Sequence, residues 1–227
     1  MTRIFLGLAC FAFALLAINL FLGLSIGDYN GSAATWRKAI ADVRAIERTR
    51  PKRDDPELLA ARDRQQQANQ AMEPMRGRVR AHWLFGLAAA LVTVLVNSVT
   101  VTYFIGTSRW CKEVCEAYSL DPELAARCLR LKRRTFPWAF GGIMAILGIV
   151  ALGASSEPGN SMSENPAAWV DYHFLAAFGG LAFIGGSFLR QATSIQANYA
   201  LIQSIMEEVR RVRSGHGLES ETAEGVV

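Results

Sequence analysis

Hydrophobic and polar positions in this chain are sorted into long blocks. Four blocks contain no Asp, Glu, Lys or Arg: Ile4 to Gly27, Ala81 to Ser108, Thr135 to Ser156 and Tyr172 to Leu189. Each reaches the roughly 18 residues that a helix needs to cross about 30 Å of hydrocarbon. The pattern predicts an all-α membrane protein, a four-transmembrane-helix bundle with an external helical hairpin and a cytoplasmic helical extension. In order, the expected segments are a first span over 1–27, an external helical segment over 28–80 and a second span over 81–107. A cytoplasmic hairpin over 108–134, a third span over 135–156 and an external loop over 157–171 follow. A fourth span over 172–190, a cytoplasmic extension over 191–213 and a disordered tail over 214–227 complete the chain.

The polar blocks carry helical signals of their own. Trp36, Ile40 and Val43 recur at helical spacing, and Pro51 ends that run. Asp55-Pro56-Glu57 and Asp121-Pro122-Glu123 both read as helix beginnings, with Asp as N-cap, Pro at the first helical position and an acid near the positive end of the dipole. Within the second span, His82, Gly86, Ala90, Thr93, Asn97, Thr100 and Thr107 form a small, polar face suited to close helix packing, while Leu84, Leu91, Leu95 and Phe104 supply bulk away from it. Gly141 with Ala145, Ala176 with Gly180, and Ala182 with Gly186 are small pairs four apart in the later spans. Past Arg190 an apolar seam continues, through Ile195, Tyr199, Ile202, Met206 and Val209, which some other helix must cover.

Composition changes this picture little. A hydrophobic content of 51% is near that of a soluble protein, so segregation rather than amount carries the class. The basic residues are almost all Arg, with Lys only at 38, 52, 112 and 132, which points to a bacterial, GC-rich coding sequence. The first apolar run is too long for a cleavable signal and is expected to stay as an anchor. Its Gly7-Leu8-Ala9-Cys10 stretch lacks the features of a lipoprotein site.

Charge sets the expected sidedness. The loop from Glu157 to Asp171 holds no Lys or Arg, whereas Arg109, Lys112, Arg127, Arg130, Lys132, Arg133 and Arg134 crowd one short loop. By the positive-inside rule the latter is cytoplasmic, with both termini, in the bacterial inner membrane. The twelve basic residues of 28–80 oppose this assignment, but that segment approaches the length at which the rule weakens.

Two clusters are candidates for chemistry. His82 and His173 open the second and fourth spans at a shared depth, where two imidazoles on neighbouring helices can hold haem iron or another metal. The alternative is interfacial anchoring beside Trp83, Trp169 and Tyr172. Cys111, Cys115 and Cys128 lie on facing helices and offer three thiolates for zinc, with His216 as a fourth ligand, although the tighter Cys-x-x-Cys knuckle is absent. With the opposite sidedness these cysteines favour a structural disulfide. The sequence requires neither haem nor zinc.

No Walker loop, dinucleotide fingerprint, His-Glu-x-x-His or nucleophile elbow is present, and the spans lack the ionisable residues that coupled transporters keep there. The expectation is therefore a non-catalytic integral membrane protein, an accessory or scaffolding subunit or a self-associating bundle. Its partners are the bilayer and other membrane subunits or further copies, not nucleic acid. The alternative is a redox or metal/haem-binding subunit using His82 and His173. A passive pore along Thr93, Asn97 and Thr100 ranks third.

Overall fold

Uncharged stretches and strong helix starts produce helices that run without interruption from polar into apolar sequence. The computed structural model describes residues 2–50, 52–159 and 165–215; the tail expected over 214–227 falls almost wholly outside them, as does His216. Among the described residues there are five helices and no strand: α1 (Thr2–Leu24), α2 (Tyr29–Arg48), α3 (Pro56–Ala117), α4 (Pro122–Ser155) and α5 (Pro166–Gly215). Four of them, α1, α3, α4 and α5, are long and apolar enough to cross a membrane.

The two Asp-Pro-Glu beginnings are built alike. Asp55 Oδ1 accepts from the Glu57 N–H at 2.9 Å, and Asp121 Oδ1 accepts from the Glu123 N–H at 2.9 Å. Each carboxylate satisfies an orphan donor of the first turn and sits where the dipole favours negative charge. Asp28 caps α2 through the Gly31 N–H at 2.8 Å. The turn between α1 and α2 uses Gly27 at φ 82°, a region costly for residues with a Cβ.

What differs from expectation is continuity. The segments expected as the second arm of an external hairpin, the second span and the first arm of a cytoplasmic hairpin form one helix of 62 residues, about 93 Å long at 1.5 Å per residue. The helix continues through Pro74 and Gly77, two residues that disfavour a helix interior, with the good helix formers Arg76, Arg78 and Arg80 around them. Likewise α4 passes through Pro137 from the basic arm into the third span, and α5 joins the fourth span to its extension.

The chain packs as two compact units, Met1–Cys10 with Thr93–Met144 and Ile184–Val227, and Phe11–Val92 with Ala145–Phe183. In the first unit, α3 ends in a left-handed residue, Ser119 at φ 52°, and the Leu120 N–H returns to the Cys115 carbonyl at 2.9 Å. This closes the helix in the 6→1 manner of a Schellman motif. The corner between α3 and α4 then lies over the α5 extension, where Cys111, Cys115, Cys128, Leu201, Ile205 and Val209 form a buried cluster. Among the expected seam residues Ile195 and Val209 are buried, Ile202 and Met206 are half-buried, and Tyr199 is exposed. The covered row is offset toward Asn198, Leu201 and Ile205 because the α3–α4 corner, within the same chain, supplies the cover.

In the second unit, Val43 of α2 meets Leu58 and Ala61 at the start of α3, forming the small core of the hairpin. Arg76 lies 5.9 Å from the Trp36 ring centroid. Asn30 Nδ2 and Arg37 Nη1 donate to the Ser156 and Pro158 carbonyls, so α2 is tied to the end of α4.

Candidate functional site

The second unit brings the two span-opening histidines together. The His82 and His173 ring centroids are 6.1 Å apart, with the planes inclined at 79°. Each ring is held by the same local construction. His82 Nδ1 is 3.1 Å from the Asn19 carbonyl of α1, and His173 Nδ1 is 3.1 Å from the Ile149 carbonyl of α4. A carbonyl only accepts, so in the neutral imidazole Nδ1 carries the hydrogen and Nε2 keeps its lone pair.

Four residues beyond each carbonyl stands a glycine that leaves room for the ring. A Cβ on Gly23 would come within 3.0 Å of His82 Cε1, and one on Gly153 within 2.9 Å of His173 Cε1. The correspondence goes further, because the Asn19 side chain rests on Gly86 of α3 and the Ile149 side chain rests on Gly180 of α5. Two helix pairs, α1 with α3 and α4 with α5, thus each present one backed and oriented imidazole.

Orientation by a backbone carbonyl is the usual outer partner of a metal-ligating histidine, fixing the tautomer and raising ligand basicity. Two imidazoles sharing one ion place their centroids roughly 5 Å apart when bent and about 6.4 Å apart when linear, given metal–nitrogen bonds of about 2.0–2.1 Å. The observed separation lies within that span. Asn19 Oδ1, on the residue whose carbonyl holds His82, is buried without a hydrogen-bond partner.

The three cysteines expected as zinc ligands meet in the buried cluster of the α3–α4 corner. Cys111 and Cys128 are joined in a disulfide, with Cα atoms 6.8 Å apart, and Cys115 is a buried free thiol beside them. Bonded in this way, two of the three sulfurs expected as thiolates have none to give a metal. Among the described residues no group of three or more His, Cys, Asp or Glu side chains has a metal-holding arrangement. Burial pushes the Cys115 thiol above its ordinary range, with the nearby Asp121 and Glu116 carboxylates adding in the same direction.

The polar face of α3 finds its partners in the first unit. Asn97 Nδ2 donates to the Thr93 carbonyl at 2.8 Å, and Gln191 Nε2 donates to Asn97 Oδ1 at 2.9 Å and to Ser187 Oγ at 2.8 Å. Ser187 Oγ donates in turn to the Trp138 carbonyl at 2.8 Å. Gly142 of α4 lies directly against Asn97, where a Cβ would come within 2.8 Å of Oδ1. Further along, Asn198 Nδ2 contacts Tyr103 Oη at 3.1 Å and Thr107 Oγ1 at 3.0 Å. Gln191 and Asn198 were missed in the sequence because they follow Arg190, outside the uncharged block; their spacing of seven, with Ser187 four residues before Gln191, is the signal that places them on one face. Phe104, expected among the outward bulk, is fully buried in this core, whereas Leu84, Leu91 and Leu95 are exposed.

Compared with protein-family models, curated proteins and solved structures, the chain matches none of them.

Proposed function

We propose that this chain is a non-catalytic, multi-pass subunit of the bacterial inner membrane whose working element is the His82–His173 pair, holding a transition-metal centre. Both termini lie in the cytoplasm, an orientation that rests on the absence of Lys and Arg between Glu157 and Asp171. The observation that carries the metal reading is the paired, carbonyl-backed imidazoles, each with Nε2 left as a ligand atom. Imidazole suits zinc, copper, nickel or iron, the last as a free ion or in haem.

Metal analysis and a visible spectrum of the detergent-purified protein test the reading. The expected result is one metal per chain, lost in His82→Ala and in His173→Ala, with a Soret band only if the metal is haem iron. A colourless, metal-free protein that takes up none of these ions at micromolar concentration overturns it.

A second reading, an accessory or scaffolding subunit that assembles through the α5 extension, is favoured by Tyr199. Its ring is exposed, with Met206 half-buried on the same side and Ile202, which packs against the cysteine cluster, half-buried between them. Disulfide crosslinking through Tyr199→Cys in native membranes tests it: a defined crosslinked species supports assembly, and a wholly monomeric product rejects it.

A further inference from the structure

We infer that the groove between α4 and α5 bounded by Arg134 and Arg190 binds the phosphate of an anionic phospholipid. This inference rests on the membrane reading but not on the histidine site.

The groove has a volume of ≈ 440 Å³ and is lined by Leu131, Arg134, Trp138, Arg190, Thr193 and Ser194, with Ala197 at its edge. Its position follows from the sequence. Arg134 is the residue before the third uncharged block and Arg190 is the residue after the fourth, so the two guanidinium groups stand where two spans leave the hydrocarbon. No carboxylate lines the groove, and its charge is therefore uncompensated by its own walls.

The side chains divide the work. Arg190 lies over Trp138, its guanidinium carbon 5.7 Å from the ring centroid, which orients the cation beside an indole suited to the headgroup region. Thr193 and Ser194 donate their hydroxyl hydrogens to the Arg190 carbonyl, both at 2.9 Å. The hydrogens available to an anion are thus those of the two guanidinium groups, whose planar forks match phosphate oxygens. On the span side of Arg190 the exposed Leu189 offers apolar surface to acyl chains. That combination favours a lipid over soluble phosphate, and a basic site between spans is the form that headgroup recognition takes.

The test uses the full chain, delipidated in detergent and titrated with phosphatidylglycerol, phosphatidylcholine or inorganic phosphate, with binding read by native mass spectrometry. Phosphatidylglycerol should bind in preference to the other two. Arg134→Gln and Arg190→Gln should each weaken it about fivefold, and the double variant about 30-fold, at about 1 kcal/mol per basic residue near the surface. Arg210→Gln with Arg211→Gln, which removes the same charge elsewhere on α5, should change it less than about twofold. Brominated phosphatidylglycerol should quench an emission component of the wild type that is absent from Trp138→Phe, a readout independent of how well the arginine variants fold. Equal retention of the two lipids, an equal loss in the Arg210/Arg211 variant, phosphate binding as tight as that of the lipid, or no Trp138-dependent quenching would each overturn the inference.

Discussion

Gly142→Ala measures how tightly α3 and α4 close around the Asn97–Gln191 hydrogen bond. The added Cβ would stand 2.8 Å from Asn97 Oδ1, 3.0 Å from Nδ2 and 3.2 Å from Cγ. Asn97 has little freedom to retreat, because Nδ2 is held by the Thr93 carbonyl and Oδ1 by Gln191. Either the helices separate, or Asn97 turns and releases Gln191, whose Oε1 already lacks a partner. Overpacking of this kind costs about 1–3 kcal/mol, and a lost interhelical hydrogen bond in a membrane protein about 0.6 kcal/mol. Replacing Gly in a helix returns about 0.5–1 kcal/mol. The net expectation is a destabilisation of about 2 kcal/mol. Reversible unfolding from mild detergent into dodecyl sulfate provides the measurement, repeated in an Asn97→Ala background where the obstructing amide is gone. There Gly142→Ala should be neutral or slightly stabilising, giving a coupling of about 2 kcal/mol between the two positions. The same cost in both backgrounds would refute the claim that Asn97 is what the glycine makes room for.

Three further outcomes are expected. Gly23→Ala and Gly153→Ala should each lower metal affinity at least about tenfold, as loss of outer support does, while leaving both histidines in the chain; isothermal titration with zinc or copper measures this, and unchanged affinity would separate the glycines from the site. In intact cells alkylated before lysis, Cys111 and Cys128 should be found as free thiols, because a cytoplasmic disulfide is reduced; a bond that persists in cells would place the basic corner on the oxidising side and reverse the proposed orientation. Cys115 should resist maleimide in the native protein and react on unfolding: its thiol is raised in the fold, so its contribution to stability is complete below the ordinary thiol range and is lost as pH rises through the raised value. A native labelling rate equal to that of an exposed thiol at neutral pH would contradict the burial.

The spans and both Asp-Pro-Glu helix starts were legible because each depends on local chemistry alone, an uncharged run or a capping carboxylate. That His82 and His173 share one end of their helices was legible from topology, since two crossings lie between them; that their rings meet was not. What holds those rings was not, because a backbone carbonyl and an i+4 glycine leave no compositional mark. Of the seam on α5, Ile195 and Val209 are buried, and the departure lies at Tyr199. Counting apolar residues chose Tyr199, whereas the chain buries Asn198, whose amide finds hydroxyl partners on α3. The cysteines were correctly seen to face one another, but spacing alone does not separate a metal cluster from a bond between two of its members.

The uncharged interior described above also bears on how a membrane potential could act on this protein. A membrane potential does work of about 2.3 kcal/mol per 100 mV on each elementary charge carried across it. The polar centre around Asn97, Gln191 and Asn198 is made of amides and hydroxyls, which carry no net charge to be moved. Rearrangement of that centre therefore moves no net charge, and a membrane potential would do little work on it.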